Sequence, residues 1–93
     1  MEIQQTNNEI KGVFKAIDGE KTAGKITYAW AGSDKFIIDH TEVNPIYRGQ
    51  DVGKKLVLAA VDYARKKNAK IVPLCPFAKS VFDKNPPLQD VVA

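Results

Sequence analysis

Apolar and polar positions change period along the chain, and each change marks an element. From Ile10 to Ile17 the run is strand-like, with Val13, Phe14 and Ile17 as packing residues. Asp18-Gly19-Glu20 follows as a turn, Asp-Gly being a strong hairpin signal. Gly24 to Trp30 then alternates cleanly: Ile26, Tyr28 and Trp30 point one way, Lys25, Thr27 and Ala29 the other. Tyr28 and Trp30 are therefore read as core. Ala31-Gly32-Ser33-Asp34 turns the chain again, and Lys35 to Val43 is a third strand entered through Phe36-Ile37-Ile38. These three strands, joined by short turns, predict an antiparallel meander. The polar stretch Met1 to Asn8 predicts a short edge strand or a frayed end.

At Val52 the period becomes helical and stays so to about Lys67. Val52, Leu56, Val57, Ala60, Val61, Tyr63 and Ala64 fall in one broad arc, with Leu58 the single apolar residue on the other side. Arg65, Lys66 and Lys67 suit the negative end of the helix dipole, and Asn68 is a fitting stop. Lys70 to Cys75 is short and apolar, so it predicts a strand parallel to the one before the helix. Pro73 within it cannot donate to a ladder, which leaves one side of that strand unpaired. Ala78 to Asp83 predicts a second, short helix with Pro76 at its first position. The tail after Asn85-Pro86-Pro87 has no pattern. The fold class is α/β (α+β): one domain over residues 1–93, with a mostly antiparallel sheet and a β-α-β unit.

Between the third strand and the first helix lies Val43-Asn-Pro-Ile-Tyr-Arg-Gly-Gln-Asp-Val-Gly-Lys-Lys55. A strand, a Pro-bounded turn and a glycine-bearing loop here feed a helix start. Unpaired N–H groups and the positive end of a dipole therefore meet at one point, where an anion such as phosphate is the natural guest.

Composition narrows the setting. The net charge of +3 favours a polyphosphate ligand but is too small to argue for nucleic acid. One His and one Cys are too few for a structural zinc site. The polar start is no signal peptide, no apolar run approaches a membrane span, and the single Cys75 forms no internal disulfide. The expected setting is the cytoplasm.

The pattern Val43-x-Pro45-x-Tyr47-Arg48-Gly49-x-x-x-Gly53 resembles the acetyl-CoA-binding motif of the GNAT-type N-acetyltransferases. Asp39-His40-Thr41-Glu42-Val43 before it, and Cys75-Pro76-Phe77-Ala78 after the helix, are similar to a small, single-cysteine branch of that superfamily. The resemblance implies a reduced GNAT-like fold with acetyl-CoA as cosubstrate and an amine as acceptor. It implies that backbone N–H groups over Arg48, Gly49, Gln50, Asp51, Val52, Gly53 and Lys54 hold the pyrophosphate. Pantetheine would lie between the strands ending at Val43 and Cys75. Asp51 stands where the family usually has Gly. It is read either as the helix N-cap, or as a charge and side chain that oppose the phosphate.

Three side chains are candidates for chemistry. Cys75, read as the residue before a helix that begins at Pro76, sits where a thiol pKa falls; it would accept acetyl transiently or protonate the leaving CoA thiolate. His40 and Glu42 are two apart, as are Phe36 and Ile38, so all four are expected on one strand face. Either polar residue would take the amine proton. Glu42 resembles a glutamate that many superfamily members use there. The alternative reading is a non-catalytic CoA-binding or protein-interaction module.

Overall fold

The computed structural model describes all residues, Met1–Ala93. Five strands, β1 (Glu2–Asn7), β2 (Lys11–Asp18), β3 (Lys21–Trp30), β4 (Lys35–Val43) and β5 (Lys70–Pro73), form one sheet in sequence order. β1 to β4 run antiparallel, and β5 returns parallel to β4 after helix α1 (Val52–Lys67). Helix α2 (Pro76–Lys84) follows. The expected meander, β-α-β unit and edge strand are all present.

Both helices pack on the same face of the sheet. The buried residues of α1 are Val52, Gly53, Leu56, Val57, Ala60, Val61 and Ala64, which leaves Tyr63 half-buried at the rim of the arc. They cover Phe14, Ala16, Ile26, Tyr28, Phe36, Ile38 and Ile71. Period-two alternation puts Phe14 and Ala16 on the covered face, so Val13 and Ile17, expected to pack, are only half-buried on the open one. Tyr28 is the centre of an aromatic cluster with Phe14, Phe36 and Tyr63 at centroid separations of 5.0–5.9 Å. Its phenol accepts from Gln5 Nε2 at 2.7 Å and Asn7 Nδ2 at 3.3 Å, which ties the polar β1 to the core.

Helix α1 ends as expected. Asn68 adopts φ 57° and its N–H returns to the last turn, while Ala69 N–H bonds Ala64 O at 2.8 Å. The patternless tail forms a 3₁₀ segment (Pro86–Val91) that buries Leu88 and Val91. Arg65 holds Asp90 through both guanidinium and carboxylate, at 2.8 and 3.2 Å, and Ala93 N–H bonds Ile71 O at 2.9 Å. The tail thus closes the outer edge of β5.

β3 approaches the β4–α1 joint closely at Gly24. A Cβ there would lie 2.8 Å from the Glu42 carbonyl oxygen and 3.0 Å from Val52 Cγ1. The first contact is backbone and cannot swing aside. Gly24→Ala is expected to cost about 1–3 kcal/mol as an overpacked site, lowering the melting temperature by roughly 4 °C or more. An unchanged melting curve would refute the close packing.

Candidate active site

β4 and β5 part company after Pro73. Their ladder runs from Lys35↔Lys70 to Ile38↔Pro73 and stops, with Leu74 and Cys75 both donating to Ile38 O. Proline has no N–H to extend it, and α2 begins at Pro76. The far half of β4, from Asp39 to Val43, therefore has a free edge.

A β-bulge lies on the same half of the strand. Thr27 pairs with His40 but Tyr28 pairs with Ile38, so Asp39 is an extra residue in β4. One added residue reverses which side chains face the core. The expectation that His40 and Glu42 continue the Phe36–Ile38 face is thereby corrected. They pair with Thr27 and Lys25 on the open face, and Thr41, opposite Ile26, turns to the covered one. Asp39 accepts from Thr27 Oγ1 at 2.5 Å.

On the open face, His40 Nε2 and Glu42 Oε1 are 3.3 Å apart, and Lys25 Nζ is 3.6 Å from the other Glu42 oxygen. Both side chains are more than half exposed, at 60% and 57%. The His40 hydrogen bond, then the Lys25 charge, hold the Glu42 carboxyl below its ordinary range. A carboxylate held in its charged form is a weaker proton acceptor. His40, with Glu42 as partner, is better placed for that role.

On the covered face, Cys75 is the buried residue immediately before α2, at the helix's positive end. Its Sγ donates to Thr41 Oγ1 at 3.2 Å. Burial pushes the thiol up, but the Thr41 hydrogen bond and the N–H groups of Ala78, Phe77 and Thr41 outweigh it, and the net shift is downward.

The loop between β4 and α1 is built by a short 3₁₀ turn, Pro45–Tyr47, whose first N–H is capped by Asn44. Tyr47 is buried and donates to Asp18 Oδ2 at 2.8 Å, which anchors the loop to the β2–β3 turn. Gly49 then takes φ 83°, a conformation that favours glycine. Asp51 precedes α1 but does not cap it. Its φ is 57° and its side chain makes no capping hydrogen bond, so the N-cap reading is corrected. The strain-free residue at such a φ is glycine. As a result the N–H groups of Gly49, Asp51, Val52, Gly53 and Lys54 make no backbone hydrogen bond, the first of the helix being Lys55 to Asp51 O. These free donors at a dipole's positive end are what an anion requires. A Cβ at Gly53 would lie 2.5 Å from the outer edge of the Phe77 ring, so a side chain there would push the half-exposed ring aside.

A cleft of about 480 Å³ gathers these parts. Of the expected cofactor residues, Val43, Arg48, Gly49, Asp51, Val52, Gly53 and Lys54 line it; Gln50 does not. Thr41, Asn44, Pro45, Tyr47 and Phe77 complete the wall. Cys75 lies just behind it, in contact with the Thr41 hydroxyl. A second, polar hollow of about 570 Å³ carries Lys15, Lys25 and Glu42 and shares Val43 and Asn44 with the first. The end of β4 is thus hollowed on both sides. Thr41 was missed from sequence because strict alternation points it to solvent; only the bulge turns it inward. Phe77 was legible as part of Cys75-Pro76-Phe77-Ala78 but carried no assignment.

The comparisons agree with this geometry. The family model described as GCN5-related N-acetyl-transferase matches residues 13–91. A GCN5-like protein of Staphylococcus aureus, solved by NMR, is 37% identical, with a TM-score of 0.71 over 97% of this chain and 87% of that one. The ribosomal-protein-S18-alanine N-acetyltransferase of Escherichia coli shares the fold at 16% identity, with a TM-score of 0.71 over 84% of this chain and 53% of that one. The Danio rerio protein NATD1 is 27% identical over 70 residues, which are 75% of this chain. The chain spans only 64% of that relative's length. No helix is long and apolar enough to cross a membrane. On the match over most of its length, the chain belongs to the GCN5-related N-acetyltransferase family, in which acetyl-CoA dependence is general.

Proposed function

We propose that this protein transfers acetyl from acetyl-CoA to an amine, with Cys75 carrying the acetyl group between the two. One observation supports this above the others: the cleft that holds the unpaired N–H groups of the α1 start also reaches Thr41, and Thr41 holds the Cys75 sulphur. Unpaired N–H groups suited to an anion and a thiol of lowered pKa thereby meet across one cleft wall.

The α1 N–H groups, with Arg48 and Lys54, bind the pyrophosphate, and the free edge of β4 between Asp39 and Val43 receives the pantetheine. The Cys75 thiolate attacks the thioester carbonyl carbon. Its new S–C bond replaces the bond to the CoA sulphur, which leaves as a thiolate and takes up a proton from solvent. On the open face His40, oriented by Glu42, takes a proton from the incoming ammonium group. The neutral amine then passes through the gap beyond Pro73, where β4 and β5 part, and attacks the carbonyl on Cys75, its remaining proton passing to solvent. Cys75 leaves as thiolate and is ready again. A free nucleophilic thiol suits a reducing compartment, so the cytoplasm is the proposed setting.

Incubation with acetyl-CoA followed by intact mass measurement tests the proposal. The expected result is one added acetyl group, mapped to Cys75 and removed by hydroxylamine. Turnover of amines without any adduct would support the second reading, direct transfer, which is favoured by the position of Cys75 behind the cleft wall rather than in it. Binding of CoA with no turnover across an amine panel would leave a CoA-binding module.

A further inference from the structure

The mechanism above uses the Cys75 sulphur but leaves unexplained what aims it. The side chain is nearly buried, at 9% exposure, and its one side-chain hydrogen bond is to a neutral hydroxyl. Asp39, His40 and Glu42 of β4 are turned to the opposite face of the sheet, where Asp39 bonds Thr27, His40 meets Glu42 and Glu42 meets Lys25. On α2, Lys79 is exposed one turn further on, where its N–H bonds Cys75 O at 3.0 Å. On α1, Lys54 is exposed in the first turn. What does meet the sulphur is the Thr41 hydroxyl at 3.2 Å, while the backbone N–H groups of Thr41, Phe77 and Ala78 favour its charged form.

We propose that Thr41 is the positioning residue of Cys75, its hydroxyl holding the sulphur between the amino end of α2 and the wall of the cleft. This rests on the reading of Cys75 as the reactive group. The chemistry of a hydroxyl suits the task. It accepts a hydrogen bond from the thiol and, by rotating about its C–O bond, donates one to the thiolate. It therefore holds the sulphur in both protonation states. No fixed donor or acceptor does both. Thr41 also lines the cleft, so its hydroxyl links the cleft wall to the sulphur.

The bulge at Asp39 is what makes this contact. Were Asp39 paired in a regular ladder opposite Thr27, Thr41 would fall on the open face, and His40 and Glu42 on the face that carries Cys75. A neighbouring carboxylate would raise the thiol pKa; a neutral hydroxyl lets the N–H groups lower it. The irregularity in β4 thus separates the proton-accepting pair from the thiol and puts each on its own side of the sheet.

The test is the pH profile of Cys75 alkylation by iodoacetamide in the full chain, which needs no acetyl-CoA. Thr41→Val keeps the side-chain shape and removes the hydroxyl. The expected result is a profile whose midpoint moves to higher pH and a rate near neutral pH that falls roughly tenfold, as loss of a hydrogen bond to a charged group predicts. The plateau rate at high pH, which reports access alone, should stay within about twofold. Thr41→Ser, which restores the hydroxyl, should recover the original midpoint. A Thr41→Val profile that superimposes on the unmodified protein's overturns the proposal, as does a Thr41→Ser profile shifted as far as that of Thr41→Val. Amide NMR spectra confirm folding; if Thr41→Val is unfolded, Thr41→Ala takes its place in the same comparison. Failure of acetyl-CoA to bind would overturn the proposed function and leave this result standing. An unshifted Thr41→Val profile in a protein that still acquires acetyl would overturn this inference alone.

Discussion

Asp51→Gly is expected to bind coenzyme A more tightly than the natural chain, by roughly tenfold at low salt, and to melt a few degrees higher. The two gains have separate causes. Asp51 holds φ 57° with no capping hydrogen bond, so a left-handed backbone cost of about 1–2 kcal/mol is set against only the entropy of glycine, about 0.5–1 kcal/mol. Its carboxylate also stands in the cleft beside the free N–H groups that favour an anion. Like charges near a protein surface repel by about 1–3 kcal/mol at such range, and salt screens the effect. Asp51→Asn separates the causes, because asparagine tolerates the same backbone without the charge. It should gain most of the affinity and little of the stability. Titration calorimetry of the three proteins decides the first part and thermal melts the second. Equal affinities across the three would remove Asp51 from the anion site.

Cys75→Ala is expected to abolish the acetyl adduct and to lower turnover by about 10²-fold or more, the scale of losing a principal catalytic group. Affinity for CoA should change by less than about twofold, since the N–H groups that hold the phosphates belong to the loop and α1. The substitution removes one atom from a small buried side chain, so the fold should survive it. Retained turnover would exclude Cys75 as acetyl carrier and as proton donor to the leaving thiolate. A loss of binding as large as the loss of turnover would instead assign the cysteine to the cofactor site.

Much of the molecule was legible in the chain alone. The strands, the hairpin at Asp18-Gly19, the buried arc of α1 and its stop at Asn68 all followed from spacing and turn chemistry. So did the cluster of unpaired N–H groups, because a glycine-bearing loop before a helix leaves its first donors free whatever surrounds it. Pro73 was legible as the point where pairing fails, and the β4–β5 ladder does end there. Three features were not. Val13 and Ile17 look as apolar as Phe14, and only the pairing register shows which face is covered. Asp51 reads as an N-cap from its residue type, yet the loop carries it into a left-handed conformation where its side chain reaches no N–H. The tail has no periodicity, yet Leu88 and Val91 are buried and Val92 pairs with Ile71.

The order of elements and the location of the loop with unpaired N–H groups were thus determined by the sequence itself, since both depend on residues adjacent in the chain. Which side chains meet Cys75 was decided only by the tertiary structure. The bulge at Asp39 is a mismatch between two strands, and a mismatch has no signature in either strand alone. By adding one residue to β4 it reverses a period-two pattern, places Thr41 against the thiol and leaves His40 and Glu42 on the opposite face.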